Sequence, residues 1–145
     1  MRITDILRVK GSEVVTIEPH RTVADAIETL NRHKIGGLVV TGADGRIAGI
    51  ITERDILRVA AEQCDRIKET VIGDVMTKDV IIGVPEDKLD YVMGIMTKNR
   101  IRHMPVIDGD QLVGIVSIGD VVNAHLEERE FENRLLRDYI HGATH

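Results

Sequence analysis

The chain has 145 residues, 43% hydrophobic and 30% charged, enough for one ordinary globular domain or for two half-size units that share a core. One Phe, two Tyr and no Trp leave an aliphatic core and argue against a ligand held by ring stacking, while a formal charge of -5 argues against a nucleic-acid binder held by its overall field. The single Cys64 excludes an internal disulfide, no apolar run approaches membrane-spanning length, and MRITDILRVKG lacks the core of a signal peptide, so the expected setting is the cytoplasm.

In chain order, a short leading helix at ITDIL precedes a brief strand expected over 14–17. A loop with Pro19 follows, then an amphipathic helix from about Thr22. Two aliphatic strands, IGGLVV and IAGII, flank the turn GADG, which is rich in residues that reach positive φ. The stretch GIITERDIL opens the next helix. Then the order recurs: IGDVM, a strand expected over 80–82, a helix from about Asp87, strands MPVI and LVGIV around DGD, and GIVSIGDVV. A last helix continues through HLEEREFENRLLRDYIHG to a stop near Gly142. Phe131, Leu135 and Tyr139 at i, i+4, i+8 mark either a face on its own core or a dimer contact.

The recurrence is an internal repeat. Laying Pro19 over Pro85 gives an offset of 66, at which Val23, Ala26, Ile27 and Leu30 fall on Leu89, Val92, Met93 and Met96. After one residue is lost from the second turn the offset is 65, and Gly49 meets Gly114 while Asp55 meets Asp120. ITDIL meets IGDVM at 69. A unit of about 60 residues buries too little to be stable alone, so the two are expected to pack face to face about a pseudo-twofold axis. The expected fold class is mixed α/β (α+β), with repeats at 1–66 and 67–125 and a helical extension at 126–145.

Thr52 with Asp55, and Ser117 with Asp120, have the spacing of a capping box that opens a helix after a strand. The same groups suit a nucleotide: unpaired N–H groups at the helix mouth for phosphate, a hydroxyl donor, and a carboxylate for ribose hydroxyls. Gly49 and Gly114 would clear space where a ligand or a facing strand comes close.

The doubled pattern of strand, Pro loop, helix, strand pair and G-h-h-[ST]-x-x-D, with VTIEPHRTV, IGGLVV and RIRHMPV in register, resembles the CBS domain in its tandem form, the Bateman module, from about Ile3 to about His125. The resemblance implies a regulatory protein that binds AMP, ADP, ATP or NAD(H) in composite clefts between repeats, forms a homodimer and signals to a protein partner. It implies one cleft built from Thr16, Gly36, Gly37, Ser117 and Asp120, and a second from Ile82, Arg102, His103, Met104, Thr52 and Asp55. Arg54, Arg100, Arg102 and His103 would make the second phosphate-rich; Gly119, standing where Arg54 does, leaves the first roomier. Ile82 replaces the hydroxyl of Thr16, and Glu53 would repel phosphate if turned inward.

Other chemistry is thin. The six histidines, His20, His33, His103, His125, His141 and His145, form no metal-ligand spacing, and neither a Walker loop nor a nucleophile with an adjacent base is present, so neither an enzyme nor a metal protein is expected. The alternatives are a structural homodimer or adaptor without ligand, and a weak nucleic-acid binder through Arg100, Arg102 and His103.

Overall fold

The computed structural model describes residues 1–143; His145 lies outside the described residues. Its elements are α1 (Ile3–Lys10), β1 (Thr16–Ile17), α2 (Val23–His33), β2 (Gly37–Thr41), β3 (Ile47–Thr52) and α3 (Glu53–Gln63). After a 3-10 turn come α4 (Ile72–Val75), α5 (Leu89–Asn99), β4 (His103–Asp108), β5 (Gln111–Ser117) and α6 (Ile118–Ala143).

The repeat is visible in the finest detail. Helix α2 is capped by Thr22, whose hydroxyl accepts the Asp25 N–H at 3.2 Å while Asp25 accepts the Thr22 N–H at 3.1 Å, and it buries Val23, Ala26 and Leu30. The equivalent α5 buries Leu89, Val92 and Met96. Strands β2 and β3 pair antiparallel with Gly37 opposite Thr52, and β4 and β5 with His103 opposite Ser117. Both hairpins carry an irregularity at the same step, Val40/Thr41 and Val106/Ile107. Both turns use a glycine at positive φ, Gly45 at 78° and Gly109 at 62°.

The first repeat has its three strands, β1 running parallel to β2 with Thr16 opposite Val39. The strand expected over 80–82 does not form. Only an isolated parallel bridge, Gly83 with Val106, remains, made by Gly83 N–H to the Pro105 carbonyl and Ile107 N–H to the Gly83 carbonyl, both 2.9 Å. Pro105 stands where β2 has Val39, and without an N–H it cannot extend the ladder.

The leading segments are exchanged. Helix α1 packs into the core of the second repeat, where Ile3 and Ile6 join Leu89, Val92, Met96 and Val116. Ile72 of α4 packs into the first repeat's core with Ala26, Leu38 and Ile51. Matching hydrogen bonds fasten them: Ile3 N–H to the Asp87 carbonyl (3.0 Å) and Thr4 N–H to Pro85 (3.0 Å), against Ile72 N–H to Arg21 (2.8 Å) and Gly73 N–H to Pro19 (2.9 Å). Each leader also explains a repeated glycine. A Cβ on Gly49 would meet the Met76 sulfur and the Thr77 carbonyl oxygen at 2.7 Å, and one on Gly114 would meet Leu7 at 2.6 Å. Leu7 and Met76 are equivalent at the offset of 69, so these glycines seat the exchanged leaders rather than a ligand.

Helix α6 begins on the core, burying Val121 and Ala124, and then runs outward with Phe131, Leu135, Leu136, Tyr139 and Ile140 all exposed. The amino group of Met1 meets Glu128 at 3.2 Å where the helix leaves the body. No helix among the described residues is long and apolar enough to cross a membrane.

Candidate functional site

A cleft of about 880 Å³ opens between the repeats, lined by residues expected of both composite sites: Gly36, Gly37 and Ser117 together with Thr52, Arg54, Asp55, Arg100, Arg102 and His103. Its floor is the pair of strand ends that deliver Thr52 and Ser117 to the mouths of α3 and α6. The two mouths are held alike, by Glu53 N–H to the Gly36 carbonyl (3.0 Å) and Ile118 N–H to the Arg102 carbonyl (2.8 Å).

The two acids are not equivalent. Asp55 is buried and fully engaged: Oδ2 accepts the Thr52 N–H at 2.9 Å and its hydroxyl at 3.2 Å, while Oδ1 accepts Thr77 Oγ1 at 3.1 Å and Arg58 Nη2 at 3.2 Å. That exhausts a carboxylate's usual four acceptor positions. Asp120 is half-buried, and its Oδ2 takes the Ser117 N–H at 2.8 Å and the Lys10 ammonium at 2.5 Å. Its Oδ1 carries no hydrogen bond among the described residues. Burial alone would raise the Asp120 carboxyl; the bonds from Lys10 and Ser117 outweigh it and hold the group below its ordinary value. The Asp120 N–H in turn donates to Ser117 Oγ at 3.1 Å, so Ser117 and Asp120 form the reciprocal cap that their spacing predicts.

Each acid is approached by the exchanged leader, Lys10 from α1 at Asp120 and Thr77 beyond α4 at Asp55. Neither Lys10 nor Thr77 was visible as a site residue in the sequence, because no local pattern announces the exchange; Arg58 was within reach of local spacing, three residues beyond Asp55 on α3. Lys34 was accessible: it lies over Arg100 at the offset of 66. Both end their helices in the left-handed conformation at φ 54°, where Gly or Asn is usual, and both line the cleft. Lys34, Arg54, Arg100 and Arg102 make no salt bridge among the described residues, leaving four cations free around one cavity.

His103 changes the meaning of the glycine pair. Its ring lies flat on Gly36 and Gly37; a Cβ at Gly37 would stand 3.0 Å from the His103 Cγ, and one at Gly36 3.2 Å from Nε2. The space those glycines clear is filled by the opposite repeat's imidazole, and Glu53 is turned in over Gly36 beside it. His103 Nδ1 is buried with no hydrogen-bond partner among the described residues, an orphaned polar atom at the cleft wall. Burial pushes the imidazole below its ordinary value, with Glu53 opposing. The unfolded chain therefore takes up this proton near pH 6.5 and the native chain only lower, so the stability contribution is full above about 6.5 and declines as pH falls below it. Melting temperature is expected to fall less between pH 7 and 5 in His103→Asn than in the parent chain.

Some expected residues lie outside the lining. Asp120 stands behind it, bonded to Lys10 and Ser117, which do line the cleft. Met104 is buried in the second repeat's core, its methyl against Gly83, because alternation along β4 turns it away from His103. Ile82 is half exposed on a segment that pairs only through Gly83, and Thr16 is exposed, with Val15 facing the cleft instead. Gly119 is exposed, with only Ser117 Oγ close to where a Cβ would sit. Among the described residues no cluster of His, Cys, Asp or Glu could hold a metal ion.

The family profile described as CBS domain matches residues 3–62 and 72–127. The chain belongs to the CBS domain family. This CBS pair is 41% identical over 149 residues to the CBS domain-containing protein CBSX3, mitochondrial, of Arabidopsis thaliana, covering 97% of this chain and 72% of that one. It is also similar to a crystal structure of a CBS-domain containing protein from Agrobacterium tumefaciens, with TM-score 0.83 and 43% identity over 86% of this chain and 92% of that one. A third neighbour, the CBS domain pair of protein MJ0100, was solved in complex with 5′-methylthioadenosine and S-adenosyl-L-methionine; its TM-score is 0.77, with 28% identity over 88% of this chain and 98% of that one.

Proposed function

We propose that this CBS pair is a regulatory module that binds an adenine nucleotide, AMP, ADP, ATP or NAD(H), between its repeats and reports occupancy to a protein partner. The observation that carries the reading is the convergence of Lys34, Arg54, Arg100 and Arg102, all without salt bridges among the described residues, on one cavity that His103 also lines. Guanidinium groups bind phosphate oxygens bidentately, and each charge-assisted bond contributes about 1.5–3 kcal/mol. The adenosine moiety common to the ligands of the MJ0100 neighbour supports the nucleoside half of the assignment.

In this reading the ribose hydroxyls take the free Oδ1 of Asp120, and Ser117 caps the helix that receives the phosphates. Lys10 then exchanges a carboxylate for a phosphate, which moves the end of α1 and, with it, the packing of the repeats. The output is a population shift read by a homodimer and its partner, and no step of catalysis is involved. The single exposed Cys64 fits a reducing compartment such as the cytoplasm.

Isothermal titration of the full chain tests the proposal. ATP, AMP or NADH is expected to bind at least about tenfold more tightly than phosphate-free 5′-methylthioadenosine, a difference of about 1.4 kcal/mol that shrinks in high salt and in Arg102→Ala. No binding by any of them at millimolar concentration, or equal binding by 5′-methylthioadenosine, would overturn it.

A further inference from the structure

We propose that each chain takes up one nucleotide and not two, with its ribose on Asp120 and its phosphates at the mouth of α6, while Asp55 serves the fold instead. This rests on the nucleotide reading and fixes how many ligands the cleft admits and which way they lie.

A ribose presents two neighbouring hydroxyls, and one carboxylate receives both only where two acceptor positions stand open. Duplication supplies two such acids at the same register, yet their surroundings differ. Asp120 keeps Oδ1 free of hydrogen bonds among the described residues, and one carboxylate oxygen offers two acceptor positions. Asp55 keeps none. Arg58 is exposed enough to swing away from it, but that frees a single position. The second would have to come from Thr52, which belongs to the cap of α3, or from Thr77. Thr77 is pinned by its backbone: its N–H donates to the Ile50 carbonyl and its carbonyl accepts the Ile50 N–H, both at 2.9 Å. Freeing its hydroxyl from Asp55 means lifting the leader from β3.

The lock on Asp55 has no copy in the second repeat. Arg58 lies over the exposed Asn123 at the offset of 65, and Thr77 lies over Arg8 at 69, which pairs with Asp5 at 3.6 Å. Neither is bonded to Asp120 among the described residues. Asp120 has Lys10 instead, whose ammonium also bonds the Ile115 carbonyl at 2.8 Å and which lines the cavity. A lysine side chain leaves without moving backbone, and a partly exposed ion pair holds it weakly.

The two helix mouths differ in the same sense. Glu53, the first residue of α3, turns in over Gly36 and lines the cleft, so a phosphate at that mouth would meet a carboxylate. Its counterpart at the offset of 65 is Ile118, the first residue of α6, which carries no charge. Acid and mouth therefore favour one side of the cleft. Lys34 and Arg54 of the first repeat line the same cavity as Ser117, so they serve a ligand whose sugar the second repeat holds.

Equilibrium dialysis of the full chain against AMP and, separately, ATP counts the sites. Saturation at one nucleotide per chain is expected. Asp120→Asn, which keeps the shape of the side chain, is expected to weaken binding at least about tenfold, because the ribose loses a charged acceptor. Saturation at two per chain overturns the proposal, and that count needs only the parent protein, so it stands even if the variant does not fold. An Asp120→Asn variant that melts like the parent and binds with undiminished affinity overturns it as well. Either result leaves the nucleotide reading in place, whereas a parent chain that binds none of AMP, ATP and NADH removes that reading and this one with it.

Discussion

Replacing Asp55 with Ala is expected to cost about 3 kcal/mol of stability in the absence of any ligand, whereas Asp120→Ala costs about 1 kcal/mol. The difference follows from burial and partners. Asp55 is 4% exposed and accepts four hydrogen bonds that tie β3, α3 and the segment beyond α4 together. Its loss strands the Thr77 hydroxyl and a guanidinium that also bonds the Val75 carbonyl at 3.1 Å. Asp120 is a helix cap with one exposed lysine partner, a contact of the kind that contributes little. Urea denaturation at neutral pH checks the pair. Equal losses near 1 kcal/mol would mean that Asp55 serves only as a cap. With nucleotide present the order is expected to reverse: Asp120→Ala loses the ligand-induced rise in melting temperature, because Asp120 holds the free acceptor oxygen.

Gly49→Ala is the second large expected effect. The added methyl would stand 2.7 Å from the Thr77 carbonyl oxygen, which is itself bonded to the Ile50 N–H at 2.9 Å. Backbone cannot swing aside, so the bridge between Ile50 and Thr77 must open and the leader lift from β3; we expect a loss of about 3 kcal/mol. Gly114→Ala meets only the branched end of Leu7, which can rotate, and about 1 kcal/mol is expected. Thermal melts of the two variants side by side give the comparison. Losses of equal size would show that the two leaders are seated with equal rigidity.

Much of the fold was legible because duplication supplies its own control. Val23, Ala26 and Leu30 predict a buried helical face, and the same face at Leu89, Val92 and Met96 makes chance an inadequate explanation. The hairpins were legible from GADG and DGD, whose glycines take the positive φ expected. The missing strand at 80–82 was hidden by its own aliphatic residues: the obstacle is Pro105, a donor lost on the partner strand. The cations at Arg54, Arg100 and Arg102 were legible because guanidinium clusters are rare and the repeat aligned them with a helix mouth. What escaped was everything contributed across the exchange. Lys10 and Thr77 reach their acids through tertiary packing, and the filling of the glycine space by His103 depends on how the repeats dock.

The exchanged leaders give the chain the topology of a domain swap folded into one polypeptide. A lone repeat of this design would lack the segment that covers its own glycine strand, and it could complete its core only by borrowing that segment from a neighbour. Two such units in separate chains would assemble by mass action. Joined head to tail, they do so at the effective concentration of a tether, about millimolar for a short linker, and dilution no longer takes them apart. Fusion also releases the two leaders from having to be identical. One carries a lysine to its acid and the other a threonine, and this difference between the leaders, with Arg58 beside Asp55 where Asn123 follows Asp120, leaves the two acids unequal.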